Sequence, residues 1–130
     1  MRLLLDTHCW LWLKVESGRF PSLLRRRIVK DPARLILSSV CVMEIVIKHA
    51  SGKLRLGGTP ADLIAELLED GVTALAMTSA HALQLGRLPP LHRDPFDRLL
   101  VAQAISEGLT IVSADPQLLA YDVAHIDARK

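Results

Sequence analysis

Four acidic residues in this sequence could act together as ligands for a divalent metal ion. They are Asp6, Glu44, Asp97 and Asp115. If their carboxylates converge, each close pair repels by about 4 kcal/mol at an effective dielectric constant of roughly 20, so protons or cations must neutralise the cluster. Mg²⁺ and Mn²⁺ prefer oxygen ligands of this kind, and one or two such ions can activate water for attack on a phosphodiester. The elements that carry the acids must therefore bring them to one place.

Asp6 and Asp115 each follow a predicted buried strand, and each could simply cap the helix that comes next. Asp6 ends a run of three leucines, and Asp115 follows a short apolar run and precedes a proline. Aspartate is a favoured N-cap residue, which accounts for both positions without any chemistry. However, ligands of open parallel sheets bind at the carboxyl ends of the strands, where both acids are expected. The sequence leaves both explanations open.

Glu44 and Asp97 lie on predicted helices, where the same ambiguity arises. Glu44 interrupts a helix that is apolar nearly all round, and Lys48 could pair with it on a narrow exposed face. Asp97 follows the predicted N-cap Asp94 by three residues, which resembles a capping box and suits the helix dipole. Asp97 also shares a helix face with Leu100, so its side chain is expected to point towards the sheet.

Predicted strands and helices alternate along the whole chain. The strands are predicted at residues 3–5, 35–37, 72–77 and 110–112, with an edge strand at 123–126. The longer helices are predicted at residues 7–15, 21–30, 40–50, 60–70, 79–88 and 95–107, and a brief one follows residue 115. This alternation predicts an α/β fold, with a parallel sheet of four to five strands covered by helices on both faces. The length of 130 residues fits a single domain spanning residues 1–130.

Composition and charge exclude some classes of protein and leave others open. The net charge of +2, from 16 basic and 14 acidic residues, is too small to identify a nucleic-acid-binding protein. Cys9 and Cys41 form no C-x-x-C pair or zinc-ligand spacing, so both are expected to be free thiols in a reducing compartment. Asp6 interrupts the apolar start, and Glu44 and Lys48 break the longest apolar stretch, so neither a signal peptide nor a membrane span is expected. We therefore expect a cytoplasmic protein.

Three stretches, LLLDTHCWLWL, SSVCVMEIVIKHASGKLRL and HRDPFDRLLVAQAISEGLTIVSADPQL, follow one another in a specific order. In this order and spacing the sequence resembles the PIN-domain family, and specifically the VapC-type toxins of bacterial toxin–antitoxin pairs. The resemblance covers most of the chain. It implies a three-layer α/β/α sandwich that cleaves RNA with Mg²⁺ or Mn²⁺. It also implies a homodimer and a cognate antitoxin that lays a segment across the active-site groove.

The resemblance also assigns roles to particular positions. The metal-binding and catalytic acids of the family match Asp6, Glu44, Asp97 and Asp115, whereas Asp94 is expected to be a helix cap. Thr7 and Ser113 match small hydroxyl residues beside those acids and are expected to orient them. Apart from the resemblance, basic side chains that lie beside Asp97 in the sequence are candidates for contacting substrate phosphate, and others could extend that track. The first group is His92, Arg93 and Arg98, and the second is Lys48, Lys53 and Arg55.

The predicted function is that of a metal-dependent endoribonuclease toxin, which cleaves cellular RNA with water that the metal activates. The alternative is a non-catalytic PIN-like module that binds RNA or protein, although the presence of all four acids argues against it. A haloacid-dehalogenase-type phosphatase needs a second aspartate where His8 stands. A response regulator needs an acidic pair near the first strand, where Thr7 follows Asp6.

Overall fold

The computed structural model describes residues 1–129, except for the side chain of Ser17, so Lys130 of the predicted domain lies outside the described residues. Within residues 1–129 the strands are β1 (Leu3–Leu5), β2 (Leu35–Ser38), β3 (Thr73–Leu75), β4 (Thr110–Ser113) and β5 (His125–Asp127). The α-helices are α1 (Thr7–Lys14), α2 (Ser22–Ile28), α3 (Ser39–Ala50), α4 (Pro60–Glu69), α5 (Ser79–Leu85), α6 (Pro95–Glu107) and α7 (Pro116–Leu119). None of these helices is long and apolar enough to cross a membrane.

The five strands form one sheet in the order β3-β2-β1-β4-β5, and every neighbouring pair is parallel. With helices on both faces, the fold is the predicted three-layer α/β/α sandwich. The chain builds outwards from β1 to β3 and then returns to the other side of β1 with β4. The strand order therefore reverses between β1 and β4, which is where ligands bind in open sheets of this type.

The central strand β1 is buried because both of its neighbours and both helix layers cover it. Leu3, Leu4 and Leu5 are at most 2% exposed, and each such burial stabilises the fold by about 2 kcal/mol. Trp10 from α1 joins this core at 1% exposure, whereas Trp12 is only partly buried. The two tryptophans thus face different sides of α1, as their spacing of two residues requires.

Polar N-caps mark the points where buried strands pass into helices. Asp6 accepts a hydrogen bond from the Cys9 N–H (2.8 Å), and Asp115 accepts one from the Gln117 N–H (2.9 Å). Ser38 at the end of β2 caps α3 in the same way. The predicted capping roles of Asp6 and Asp115 are therefore confirmed, and they place both carboxylates at the carboxyl edge of the sheet.

Several predicted boundaries were wrong by a few residues. The helix predicted at 21–30 ends at Ile28, and the helix predicted at 79–88 ends at Leu85. The strand predicted at 72–77 is shorter, Thr73–Leu75, and the edge strand predicted at 123–126 is His125–Asp127. Two short 3₁₀ helices, Ser17–Arg19 and Pro32–Arg34, were not predicted. None of these differences moves a predicted acid.

Candidate metal centre

Three of the predicted acids interact electrostatically at the carboxyl edge of the sheet. Burial, together with the negative charges of Asp94, Asp6 and Glu44, raises the pKa of Asp97 from 3.8 to about 7. Asp6 follows β1, Glu44 lies on α3 and Asp97 lies in the first turn of α6, so remote parts of the chain meet here. Asp115 joins them through His92, because one ligand atom each of His92, Asp97 and Asp115 lie within 4.8 Å of one another.

Two hydrogen-bond donors hold the buried carboxylate of Asp6, the Cys9 N–H and the Ser113 hydroxyl. Asp6 is 2% exposed, and its Oδ2 accepts a hydrogen bond from the Ser113 hydroxyl at 2.5 Å. The same Ser113 oxygen accepts a hydrogen bond from the Asp115 N–H at 3.0 Å. Burial raises the pKa of Asp6 in spite of these donors. Ser113 therefore connects the two strand-end aspartates, where the resemblance places an orienting hydroxyl.

Glu44 is buried, although the sequence also allowed it to pair with Lys48 on a narrow exposed face of α3. It is 1% exposed, and its Oε1 accepts a hydrogen bond from the Thr7 hydroxyl at 2.6 Å. Its Oε2 contacts the Lys48 ammonium at 2.5 Å, and the Lys48 side chain is 35% exposed. The pair that could have explained Glu44 as a surface residue is therefore present, but Lys48 reaches inwards to a buried carboxylate.

His92 lies between the carboxylates of Asp97 and Asp115. Its Nε2 is 2.9 Å from Asp97 Oδ2 and 2.9 Å from Asp115 Oδ2. Its Nδ1 accepts a hydrogen bond from the Asp94 N–H at 3.2 Å. Asp94 itself caps α6 by accepting from the Phe96 N–H, as predicted. The sequence suggested a phosphate contact for His92 and missed this bridge, although its place two residues before an N-cap was a usable signal.

The other basic candidates differ in what they contact. Arg93 is exposed. Arg98 is partly buried, and its guanidinium donates to the Leu88 carbonyl at 3.5 Å, while its Nε has no hydrogen-bond partner within residues 1–129. Arg98 would have to leave that carbonyl to reach a phosphate. Lys48 lies against Glu44 and so stands closest to the acids.

A groove of about 430 Å³ opens beside Glu44, between α1 and the end of α3. Thr7 and Lys48, the two partners of Glu44, both line it. The guanidinium of Arg19 lies over the ring of Trp12, 5.5 Å from its centroid, and both residues also line the groove. The other cationic lining residues are Lys53 and Arg55. The groove therefore combines positive charge with an aromatic face.

The residues at this edge fit a hard divalent cation. Its candidate donors are carboxylate oxygens, the ligand type that Mg²⁺ and Mn²⁺ prefer. Two of the acids, Asp6 and Asp97, have a raised pKa, which shows that their charged forms are disfavoured where they lie. A cation would relieve this cost by favouring the ionised carboxylates. Its candidate ligands are Asp6, Glu44, Asp97 and Asp115.

Thr7→Val is expected to weaken Mn²⁺ binding by about ten- to a hundredfold, the usual effect of losing a group that orients a metal ligand. Valine keeps the shape of the buried Thr7 side chain but removes the hydroxyl that donates to Glu44. Isothermal titration calorimetry would measure the change. Thr110→Val is the matched control, because Thr110 begins β4 and so lies at the end of that strand away from the acids. Equal affinity of the two variants would contradict a role for the Thr7 hydroxyl.

The comparisons with known proteins agree on the fold. The chain is similar to VapBC2 from Rickettsia felis, solved bound to a DNA fragment from their promoter, at 14% identity and a TM-score of 0.75, with 98% of each chain covered. It is similar to DNA-bound VapBC from Salmonella typhimurium (19%, TM-score 0.69, 98% of each chain). It is also similar to VapBC-1 from nontypeable Haemophilus influenzae (20%, TM-score 0.66, 100% of each chain).

At these identities the structural likeness shows the fold alone. No curated protein sequence gives a significant match. The sequence model of the PIN domain, however, matches residues 3–124, which is nearly the whole chain and includes all four acids. The protein therefore belongs to the PIN-domain family.

Proposed function

We propose that this protein is a divalent-metal-dependent endoribonuclease and the VapC-type toxin of a toxin–antitoxin pair. The observation that carries the proposal is that the charges of Asp6, which follows β1, and of Glu44, on α3, act on Asp97, on α6, at the edge where the strand order reverses. PIN domains are generally nucleases, which supports hydrolysis of a phosphodiester. The likeness in fold to the VapBC proteins supports the toxin assignment.

In this proposal the four acids hold Mg²⁺ or Mn²⁺. When bound, such an ion activates water and offsets the charge that develops on the phosphodiester. The protein contributes orientation: the Thr7 hydroxyl fixes Glu44, and the Ser113 hydroxyl fixes Asp6. Because these donors are already in place, little reorganisation is needed when the substrate arrives.

The groove beside Glu44 is the proposed path of the RNA backbone. Lys48, Lys53 and Arg55 line it and would contact phosphates, which positions RNA without reading its sequence. The exposed Arg93, next to the acids in sequence, would extend the path on the other side. Arg98 stays a candidate that must first leave the Leu88 carbonyl.

The partners follow from the same assignment. We propose a cognate antitoxin, as in the VapBC proteins, and a homodimer in the cytoplasm. Exposed apolar side chains on α3, Met43, Val46 and Ile47, support a protein interface, since they are 43%, 46% and 49% exposed. Sedimentation equilibrium of the purified protein would contradict the dimer if it gave the mass of one chain.

Cleavage of cellular RNA by the purified protein is the direct test. We expect cuts at specific sites with Mn²⁺, mapped by primer extension, and loss of those cuts in EDTA. Asp6→Asn should remove them while leaving α1 capped, because asparagine caps helices as well as aspartate. If Asp6→Asn cleaved at the unmutated rate, the proposal would be wrong. Tight RNA binding with neither cleavage nor calorimetric Mn²⁺ binding would instead support the non-catalytic alternative.

A further inference from the structure

The ring of His92 contacts the carboxylates of two of the four acids, Asp97 and Asp115, and its hydrogen bonds determine what it can do there. Nδ1 accepts the Asp94 N–H at 3.2 Å, so this nitrogen carries a lone pair rather than a proton. The neutral ring then carries its proton on Nε2. That nitrogen lies 2.9 Å from Asp97 Oδ2 and 2.9 Å from Asp115 Oδ2. The ring therefore faces both carboxylates with a donor.

The same contacts explain why the Asp97 carboxylate does not accept the N-cap N–H of its own helix. In a complete capping box, the acid three residues after the N-cap accepts the N-cap N–H. Thr59 and Asp62 form that reciprocal pair at the start of α4. At the start of α6 the N-cap N–H of Asp94 goes to His92 instead, although the Asp97 N–H still donates to Asp94. His92 thus replaces Asp97 in the box and leaves its carboxylate facing the other acids.

We propose that His92 is a positioning residue, which orients Asp97 and Asp115 for a divalent cation by donating from Nε2 and is not itself a ligand. This inference rests on the proposed function, because it concerns the same metal site. The backbone N–H of His92 donates to the hydroxyl of Tyr121, which is 3% exposed, and the Asp94 N–H holds the ring itself through Nδ1. A ring fixed in this way holds two acids from different elements, α6 and the start of α7, at a set separation.

Three substitutions separate the two hydrogen-bonding functions of His92. His92→Gln places an amide N–H close to the position of Nε2 and so keeps a donor for the acids. His92→Asn keeps an acceptor near Nδ1 for the Asp94 N–H but loses the donor, and His92→Leu loses both. We expect Mn²⁺ affinity to fall at least about tenfold in His92→Asn and His92→Leu. His92→Gln should stay within about threefold of the unmutated protein, and so should the exposed control His125→Leu.

Calorimetry with Mn²⁺ alone gives the affinities, and thermal melts of each metal-free variant report whether it is folded. Two spectroscopic measurements test the donor assignment directly. A long-range ¹H–¹⁵N spectrum of the metal-free protein should show the Nε2–H tautomer for His92. Electron spin-echo spectra of the Mn²⁺-loaded protein should lack the coupling of a directly bonded imidazole nitrogen, whereas a coupling that His92→Gln removes would make His92 a ligand and overturn the inference.

The outcomes distinguish this inference from the proposed function. If the unmutated protein binds Mn²⁺ and cleaves RNA, and folded His92→Asn binds Mn²⁺ equally well, the positioning role is wrong and the nuclease proposal stands. If His92→Gln binds as weakly as His92→Leu, the donor is not what matters and the inference is also wrong. If the unmutated protein neither binds Mn²⁺ nor cleaves RNA, both proposals fail.

Discussion

Asp97→Asn is expected to lower the rate of RNA cleavage by at least about 1000-fold, which corresponds to about 4 kcal/mol of transition-state stabilisation. The same substitution should make the metal-free protein more stable. Asp97 is 9% exposed and lies near three other carboxylates, so its negative charge is costly until a cation arrives. Asparagine keeps the shape and can still accept the hydrogen bond from His92, but it carries no charge. The two effects therefore have opposite signs.

Single-turnover cleavage with Mn²⁺ would measure the first effect, and urea unfolding in EDTA at pH 8 the second. We expect a gain of about 1 to 3 kcal/mol in the free energy of unfolding, because loss of the favourable helix-dipole interaction at the start of α6 offsets part of the relief. Asp122→Asn, at an exposed position, is the matched control and should change neither quantity. A variant that cleaves normally, or one that loses stability without metal, would contradict the assignment of Asp97.

The metal-free protein is expected to lose stability as the pH rises from about 4 to about 7. The pKa of Asp97 is raised from 3.8 to about 7 in the folded protein. Between these values the folded state binds more protons than the unfolded state, so a higher pH favours unfolding. Asp6 contributes in the same direction, since burial raises its pKa as well. For Asp97 the full effect across this window is at most about 4 kcal/mol.

Urea unfolding at several pH values, with and without Mn²⁺, would test this expectation. The difference between the unmutated protein and Asp97→Asn isolates the contribution of this one carboxyl. It should grow between about pH 4 and pH 7 and then level off. Mn²⁺ at a hundred times its dissociation constant should restore about 2.7 kcal/mol at pH 7.5. A difference that stayed constant with pH would show that Asp97 titrates normally.

Much of the fold could be predicted because its strongest signals are local. The run of three leucines predicted β1 with its exact bounds as a buried strand, and Thr59-Pro60 predicted the start of α4. β3 was harder to delimit, since Thr73 and Ala74 are exposed at the sheet edge and give no burial pattern. The end of α2 at Ile28 was missed because no glycine or proline directly follows it, whereas Gly86 directly after Leu85 was a stop signal that the prediction passed over.

The sequence predicted that Asp6 and Asp115 lie at one edge of the sheet, but it did not predict how these acids are held. Acids at the ends of parallel strands must lie at the same edge, which brought Asp6 and Asp115 together in prediction. The sequence allowed Glu44 to be either a buried carboxylate or the partner of Lys48. The two are compatible, because Lys48 pairs with Glu44 where it is buried. The position of His92 two residues before the N-cap Asp94 was a signal for its contact with the Asp94 N–H, but its contacts with both carboxylates depend on how the loop before α6 places the ring.

The order of the strands bears on when the protein could first become harmful to the cell that makes it. β4 lies beside β1 in the sheet, although more than a hundred residues separate them in the chain. A ribosome must therefore synthesise most of the polypeptide before Ser113 can reach Asp6. An incomplete nascent chain lacks that contact and also lacks Asp115, so the proposed toxin would be harmless throughout most of its own translation.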